Sequence, residues 1–488
     1  MKRFISILLA LSICFSCTAI GFAETTDSCD CGITPVIYIP GFGEPIYMDP
    51  ESENRTSVFP PEGNVIIDLI PEFIKAVVAL LITHNHKNFG DAAIEVLNAM
   101  FSSASCNFDG TPIYENTGIK PKELPTDSER HMITNYDLRG SSDEPSGEYT
   151  FYYDSRLDPF FNAELLKEFV EHIKALTGHE KLTFACHSQG SSVLDTYLYL
   201  YGSKNIDKLI FLSPAYQGLS IMGGLLSHEL SLKEKSGEFG LFLKQILGNG
   251  TPAKMLNPII ALLIKTGTID SLLNIAETAL FDQLDRVTEN SIAPTLGTMP
   301  GIWSFVPSEY YETAKEKVFG NDSRYEPLIE KLDNYHYNVK LRLTEILSEA
   351  EDNGCSIIIT VGYGIGSAPI TKYPAMQSDG LIETKYTSIG ATCADYSKDL
   401  GENYNQANTL CGHNHVSGDN VIDASTCAFP EYTWFFKYQD HNSYSGDIHE
   451  FINWAVLFDG QPTVNSNAEY PQFMQYNTET KEISAVLN

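Results

Sequence analysis

The stretch Lys181-Leu-Thr-Phe-Ala-Cys-His-Ser-Gln-Gly-Ser-Ser-Val-Leu194 changes period in its middle. Leu182, Phe184 and Cys186 alternate as in a strand, while Val193, Leu194, Tyr197 and Leu198 recur at helical spacing. The break falls at Cys186-His-Ser-Gln-Gly190. A strand that turns into a helix within so few residues lifts the middle one, Ser188, above the end of a sheet. Such a turn closes only when the residues two before and two after the serine are small. Gly190 meets that demand and Cys186 approximates it, so the pattern predicts a nucleophile elbow. The bland alternative is a buried serine in an ordinary strand-to-helix turn.

The flanking sequence extends the same rhythm. Tyr149 to Arg156 reads as an aromatic strand. Asn162 to Leu176 places Ala163, Leu166, Phe169, Val170, Ile173 and Leu176 on one helical stripe, and Ile206 to Ala215 reads as a further strand. The order β-α-β-α-β implies a parallel sheet with covering helices. Thr34 to Gly43 supplies an earlier core strand that ends in the turn Pro40-Gly-Phe-Gly43. Between them, Ile66 to Leu81 is apolar on nearly all faces and predicts a buried or lipid-facing helix, an internal one being the plainer reading. A short strand is expected at His131 to Tyr136.

Beyond Gly218 the pattern is helical to about Leu347, and strands resume at Ser356 to Gly362 and Thr433 to Tyr438, with a closing helix from Asp447 to Phe458. A helical insertion between core strands predicts a cap over the site. Its Leu- and Ile-rich segments serve either as the cap's own core or as a surface for acyl chains. The expected division is a signal peptide at 1–23, the first part of an α/β core at 24–217, the cap or lid at 218–350, the second part of the core at 351–460 with a Cys-bearing loop at 391–427, and a tail at 461–488.

Residues 1–23 carry a basic start, an apolar run and Gly21-Phe-Ala23 as a small-residue cleavage site, which predicts export. Cys14-Phe-Ser-Cys17 offers a lipid-anchored Cys17 as the alternative. The chain has 32 Lys and Arg against 63 Asp and Glu, a formal net charge of −31. That surface repels nucleic acid and anionic head groups, leaving contact with a neutral lipid surface through the lid as the expected membrane interaction. Export permits disulfides, and Cys393, Cys411 and Cys427 suggest a stapled loop. Cys186, at the end of a core strand, reads instead as a buried free thiol.

A serine hydroxyl becomes a nucleophile when a base takes its proton, a carboxylate orients the base and N–H donors receive the oxyanion. In the chain order Ser, acid, His of an α/β-hydrolase, Asp379 follows the Ser356 strand and precedes a glycine, while His441 follows the last strand. Glu383 and Asp423 are the alternative acids. His449 lies inside the closing helix, and His413 and His415 in a polar loop, so all three read as surface residues. Backbone N–H groups of Phe42 and Gln189 are the expected oxyanion donors. His413-Asn-His415 and His84-Asn-His86 each offer a metal two ligands, but with no third in view they read as solvated loops. No cofactor and no metal are expected.

Several short pieces in order, Val36-Ile-Tyr-Ile-Pro-Gly-Phe-Gly43, Tyr153-Asp-Ser-Arg156, Cys186-His-Ser-Gln-Gly190, Met299-Pro-Gly-Ile-Trp303 and Ser378-Asp-Gly380 with His441, resemble the lecithin:cholesterol acyltransferase family. The resemblance implies an α/β-hydrolase with a lid, an acyl intermediate on Ser188, a triad completed by Asp379 and His441, and a lipid acyl ester as donor to an alcohol or water. Ser155 stands where that family has Trp, and Cys186 where it has Gly or Ala. A hydrolase of small soluble or polysaccharide esters is the second reading. An inactive binding protein on the same scaffold is the third.

Overall fold

The computed structural model describes residues 34–61, 75–76, 78–120, 149–247 and 251–486. The leader 1–23 with Cys17, the pair Cys29 and Cys31, most of the helix expected over 66–81 and the strand expected at 131–136 lie outside these residues.

The chain is α/β. Its central sheet has eight strands: β1 Val36–Ile39, β2 Tyr149–Thr150, β3 Leu182–His187, β4 Ile206–Leu212, β5 Ser356–Tyr363, β6 Thr433–Lys437, β7 Phe473–Tyr476 and β8 Ile483–Ala485. Their spatial order is 8-7-6-5-4-3-1-2, and every neighbouring pair is parallel except β7 with β8. Alternation along these strands sorts the core into two layers. Ile37, Ile39, Phe184, Cys186, Leu209, Phe211, Ile357 and Ile359 face one way. There they meet helices α1 (Pro159–Thr177), α2 (Gly190–Tyr201) and α3 (Leu343–Asp352). Val36, Ala185, Ile210, Ile358, Trp434 and Phe436 face the other way, onto Ile448, Phe451, Ile452 and Ala455 of helix α4 (Asp447–Leu457).

The boundaries of α1 show local chemistry at work. Asp158 caps its start by accepting from the N–H of Phe160 at 3.0 Å, Pro159 fills the first turn, and Gly178 closes the end in the left-handed region at φ 68°. This cap shortens the strand expected over 149–156 to two residues, because the chain must bend to enter α1. The bend is held by a buried fork: Arg156 donates from Nε to Asp154 Oδ1 at 3.0 Å and from Nη2 to Oδ2 at 2.7 Å. Its Nη1 reaches the carbonyl of Ala104 at 3.0 Å. Removing one partner of such a buried pair costs about 3–5 kcal/mol.

Between β4 and β5, all regular secondary structure among the described residues is helical, from Ser220–Ser227 to α3. The insertion does not stand alone. Helix His86–Phe101, which falls in the segment assigned to the first part of the core, packs Ala93, Ile94 and Leu97 against the insertion's own cluster around Trp303, Tyr310 and Phe319. Arg286 adds an ion pair to Asp91 at 2.5 Å. A small antiparallel sheet of Ile46–Met48, Thr56–Phe59 and Thr117–Ile119 is formed in addition to the central one. Strands β7 and β8 arise from the tail, where the sequence showed no pattern. Among the described residues no single helix is long and apolar enough to cross a membrane.

Candidate active site

Ser188 occupies the two-residue turn between the end of β3 and the start of α2, with φ at 52°. A left-handed conformation at a non-glycine residue costs about 1–3 kcal/mol and persists only where its surroundings enforce it. Here they do. The N–H of Ser188 donates to Leu212 O at 3.2 Å, while its carbonyl accepts from Ser191 N at 3.1 Å and Ala215 N at 3.0 Å. Gly190 is required by packing, since a Cβ there would lie 2.4 Å from Ile39 O and 2.7 Å from Pro40 O. Gly41 is required in the same way, its would-be Cβ falling 2.7 Å from Ser188 Cβ. Cys186 is a fully buried free thiol on the face of β3 covered by α1 and α2, as its place in the strand predicts.

Asp379 and His441 are brought together across 62 residues: His441 Nδ1 lies 2.8 Å from Asp379 Oδ2. The second carboxylate oxygen accepts from the N–H groups of Leu381 at 3.0 Å and Ile382 at 2.8 Å. The backbones are joined as well, His441 N donating to Asp379 O at 3.0 Å. Burial alone would raise the Asp379 carboxyl, but the neighbouring His441 and the two backbone donors outweigh it and hold the group below its ordinary value. Gly362, near the end of β5, gives the aspartate room, because a Cβ there would sit 2.6 Å from Asp379 Cβ. Among the described residues no hydrogen bond joins Ser188 Oγ to His441.

The alternative acids are engaged elsewhere. Glu383 accepts from Ser220 N at 3.1 Å, tying the helical insertion to the acid's loop, and Asp423 accepts from Tyr404 Oη and Ala407 N, both at 2.8 Å. Of the three histidines read as surface residues only His413 is exposed. His449 is buried on the inner face of α4 and His415 is completely enclosed.

Two neighbours of the serine carry roles that the sequence did not single out. His187 Nε2–H donates to the carbonyl of His441 at 2.9 Å, and the two rings lie 4.7 Å apart. Desolvation first, and the adjacent His441 second, push His187 down to about 3, so its ring is neutral and serves as a fixed donor. Gln189 uses its side chain as well as its backbone. Its Nε2 donates to Ser155 O at 3.0 Å and to Gly301 O at 2.9 Å, joining the bend before α1 to the insertion. Gly301 fits there because a Cβ would lie 2.0 Å from Ser155 O. Among the described residues the backbone N–H groups of Phe42 and Gln189 donate to no protein acceptor.

An apolar cluster borders these groups: Ala215 follows β4, Ile382 flanks Asp379, and Leu219, Leu296, Met299, Ile302 and Phe305 come from the insertion. Phe42 lies at its rim, 6.2 Å from the ring of Phe305 and 5.5 Å from that of Phe59.

The expected disulfide staple is not formed among the described cysteines. Cys106, Cys186, Cys355, Cys393, Cys411 and Cys427 are all free thiols. Cys427 is buried in the core layer and Cys393 packs against it, whereas Cys411 is exposed on the far part of the loop. His84-Asn-His86 behaves as a surface turn, with His86 Nδ1 3.2 Å from Asp282 Oδ2. His413-Asn-His415 does not. It lies beside Cys411 and Glu431, with the four potential ligand atoms within 4.8 Å of one another. The third and fourth groups are invisible to a spacing argument confined to the histidines.

Comparison with models of protein families returns no match, and comparison with characterised proteins returns none either.

Proposed function

We propose that the chain is an exported serine acyl-ester hydrolase or O-acyltransferase with the α/β-hydrolase fold, its helical insertion acting as a lid and lipid acyl esters as its donors. The observation that carries the reading is the Asp379–His441 hydrogen bond, at 2.8 Å, in a site where His441 also contacts the residue preceding the left-handed Ser188. Asp379 holds Nδ1–H, which leaves Nε2 of His441 as the base. That nitrogen takes the proton of Ser188 Oγ as the oxygen attacks the ester carbonyl. The N–H groups of Phe42 and Gln189 receive the oxyanion, and His441 then returns the proton to the departing alcohol. Water or an acceptor alcohol attacks the resulting acyl-serine with the same base. Leu219, Met299, Ile302 and Phe305 of the insertion pack in one buried apolar cluster with Ala215, whose N–H is bonded to Ser188 O, and these apolar surroundings support an acyl ester over a small polar one.

The test is hydrolysis of short- and long-chain p-nitrophenyl esters and of a phosphatidylcholine by the protein and by Ser188→Ala. Long-chain or phospholipid cleavage that falls at least about 10³-fold in the variant supports the reading. An added alcohol then separates transfer from hydrolysis. Cleavage of short esters alone points to a soluble-ester hydrolase, and activity that survives Ser188→Ala overturns the assignment of the nucleophile.

A further inference from the structure

The loop between the short paired segments Thr392–Cys393 and Ile422–Asp423 carries Cys411-Gly-His-Asn-His415. It folds so that Cys411 Sγ lies 3.1 Å from His415 Nε2, which in turn lies 3.2 Å from Glu431 Oε1. His413 Nδ1 approaches the same carboxylate oxygen at 2.7 Å. Four donor atoms of three chemical types thus converge at the surface end of a buried imidazole. Among the described residues no other group of His, Cys, Asp and Glu converges in this way.

The tautomer of His415 follows from its partner. Gln472 spends both amide hydrogens on backbone, Nε2 donating to Pro430 O at 2.7 Å and Thr433 O at 3.1 Å. Its Oε1 therefore faces His415 Nδ1, at 2.6 Å, as an acceptor, and Nδ1 must carry the ring proton. Nε2 is left as a lone pair directed at Cys411 and Glu431. A carbonyl acceptor behind a histidine is the arrangement that orients a metal-binding imidazole. Backbone bonds fix the ring further, His415 N donating to Gln406 Oε1 at 2.6 Å and Ala424 N to His415 O at 2.8 Å. Asn465 Nδ2, 3.3 Å from Glu431 Oε2, steadies the carboxylate from the other side.

We propose that Cys411, His413, His415 and Glu431 form a structural site for a divalent transition metal, zinc by chemical class. A thiolate, two neutral imidazoles and one carboxylate sum to two negative charges, matching a divalent cation, and the mixed sulfur and nitrogen set suits zinc over calcium or magnesium. Zinc bond lengths of about 2.0–2.3 Å require ligand atoms about 3.3–3.6 Å apart in a tetrahedron, so the three close pairs above need to open by about 0.1–0.6 Å and the widest, within 4.8 Å, to close by no more than about 1.5 Å. Four protein ligands leave no position for substrate, which marks the site as structural. Its location agrees. Glu431 lies two residues before β6 and Gln472 immediately precedes β7, so the metal pins the loop to the starting ends of two core strands. His441 follows the opposite end of β6, about 17 Å away along five residues of strand. Zinc would thereby supply the cross-link that a disulfide was expected to provide in this loop.

The experiment uses the whole chain, stripped with a chelator and titrated with Zn²⁺ and with Co²⁺. The expected result is one equivalent of metal per chain and a cobalt complex showing thiolate-to-metal charge transfer with the intense visible bands of tetrahedral coordination. Cys411→Ser and His413→Ala change exposed side chains and should fold. The first should abolish the charge-transfer band and the second should lower affinity, while Gln472→Ala should weaken binding about 10–100-fold through His415. Chelation should lower the melting temperature of the unmodified chain but not of Cys411→Ser. Less than a fifth of an equivalent bound, at roughly micromolar protein and a tenfold excess of metal, overturns the proposal. So does a cobalt spectrum that lacks charge transfer or that Cys411→Ser leaves unchanged.

Discussion

Replacing Gly41 with alanine tests the geometry of the turn at Ser188 without altering any group of the proposed triad. The added Cβ would fall 2.7 Å from Ser188 Cβ, 3.1 Å from His187 Nδ1 and 3.3 Å from Ser188 Oγ. Carbon atoms settle at about 3.5–4.0 Å, so a relative displacement of about 1 Å is needed. Ser188 cannot supply it by rotating, because Cβ is fixed by a backbone whose N–H and C=O are bonded to Leu212, Ser191 and Ala215. The loop must move instead, and it is itself held where Pro40 O accepts from Tyr153 Oη at 3.0 Å. Its movement carries Phe42 N–H away from the serine. A misplacement of about 1 Å costs about 10²-fold in rate, and overpacking costs about 1–3 kcal/mol of stability. We therefore expect kcat/KM for Ser188-dependent ester cleavage to fall about 10²-fold while the protein remains folded at 25 °C. Gly237→Ala is the control, since nothing lies within 4 Å of a Cβ there and the residue sits in the first turn of helix Ser236–Leu247. It should leave the rate alone. A Gly41→Ala enzyme within threefold of the parent would refute the placement of this loop against the nucleophile.

Three further outcomes follow from the same site. His441→Ala should lower kcat by at least about 10³-fold, whereas His187→Asn, which removes a hydrogen bond of about 0.5–1.5 kcal/mol, should lower it by about tenfold or less; the reverse ranking in steady-state kinetics would exchange their roles. Asp379 is held below its ordinary value of 3.8, so its ionised form contributes stability that is present above that value and is lost as pH falls through the depressed one. Asp379→Asn should thus flatten the acid limb of melting temperature against pH below about 4, besides slowing turnover by about 10⁴-fold, and an unchanged acid limb would contradict the shift. Gln189→Ala strips Ser155 O of the side-chain donor at 3.0 Å, and a buried unsatisfied carbonyl costs about 1–3 kcal/mol. Urea unfolding should show a lower midpoint, and an unmoved midpoint would mean that this bridge between core and insertion contributes nothing.

What could be read from the chain was local. The change of period at Cys186-His-Ser-Gln-Gly190 predicted the turn after β3, because alternation, helical recurrence and a small residue after the serine are properties of a dozen consecutive residues. The same holds for β1, β4, β5, β6 and α1, whose apolar patterns fall on the buried faces observed. The bend at Asp154 to Asp158 was less legible, since an aromatic run was cut short by the cap of the following helix. Strands β7 and β8 left no trace because short strands at and next to a sheet edge owe their form to their neighbours' hydrogen bonds. His187 gains a role only through its contact with the His441 carbonyl, which lies 254 residues further along the chain.

Composition, period and chain order thus determined that a serine would stand at the end of a parallel sheet, with Asp379 and His441 placed to follow it. Only the tertiary structure decided which carboxylate meets which imidazole, for Glu383 and Asp423 satisfied the sequence criteria and were drawn to Ser220, Tyr404 and Ala407 instead. It also decided that His415 is enclosed and that Cys411 and Glu431 join it. Spacing reveals ligands that one turn or one helix face brings together. Groups delivered from a loop, a strand start and a distant tail converge through the packing of the whole chain, and no window of sequence contains that information.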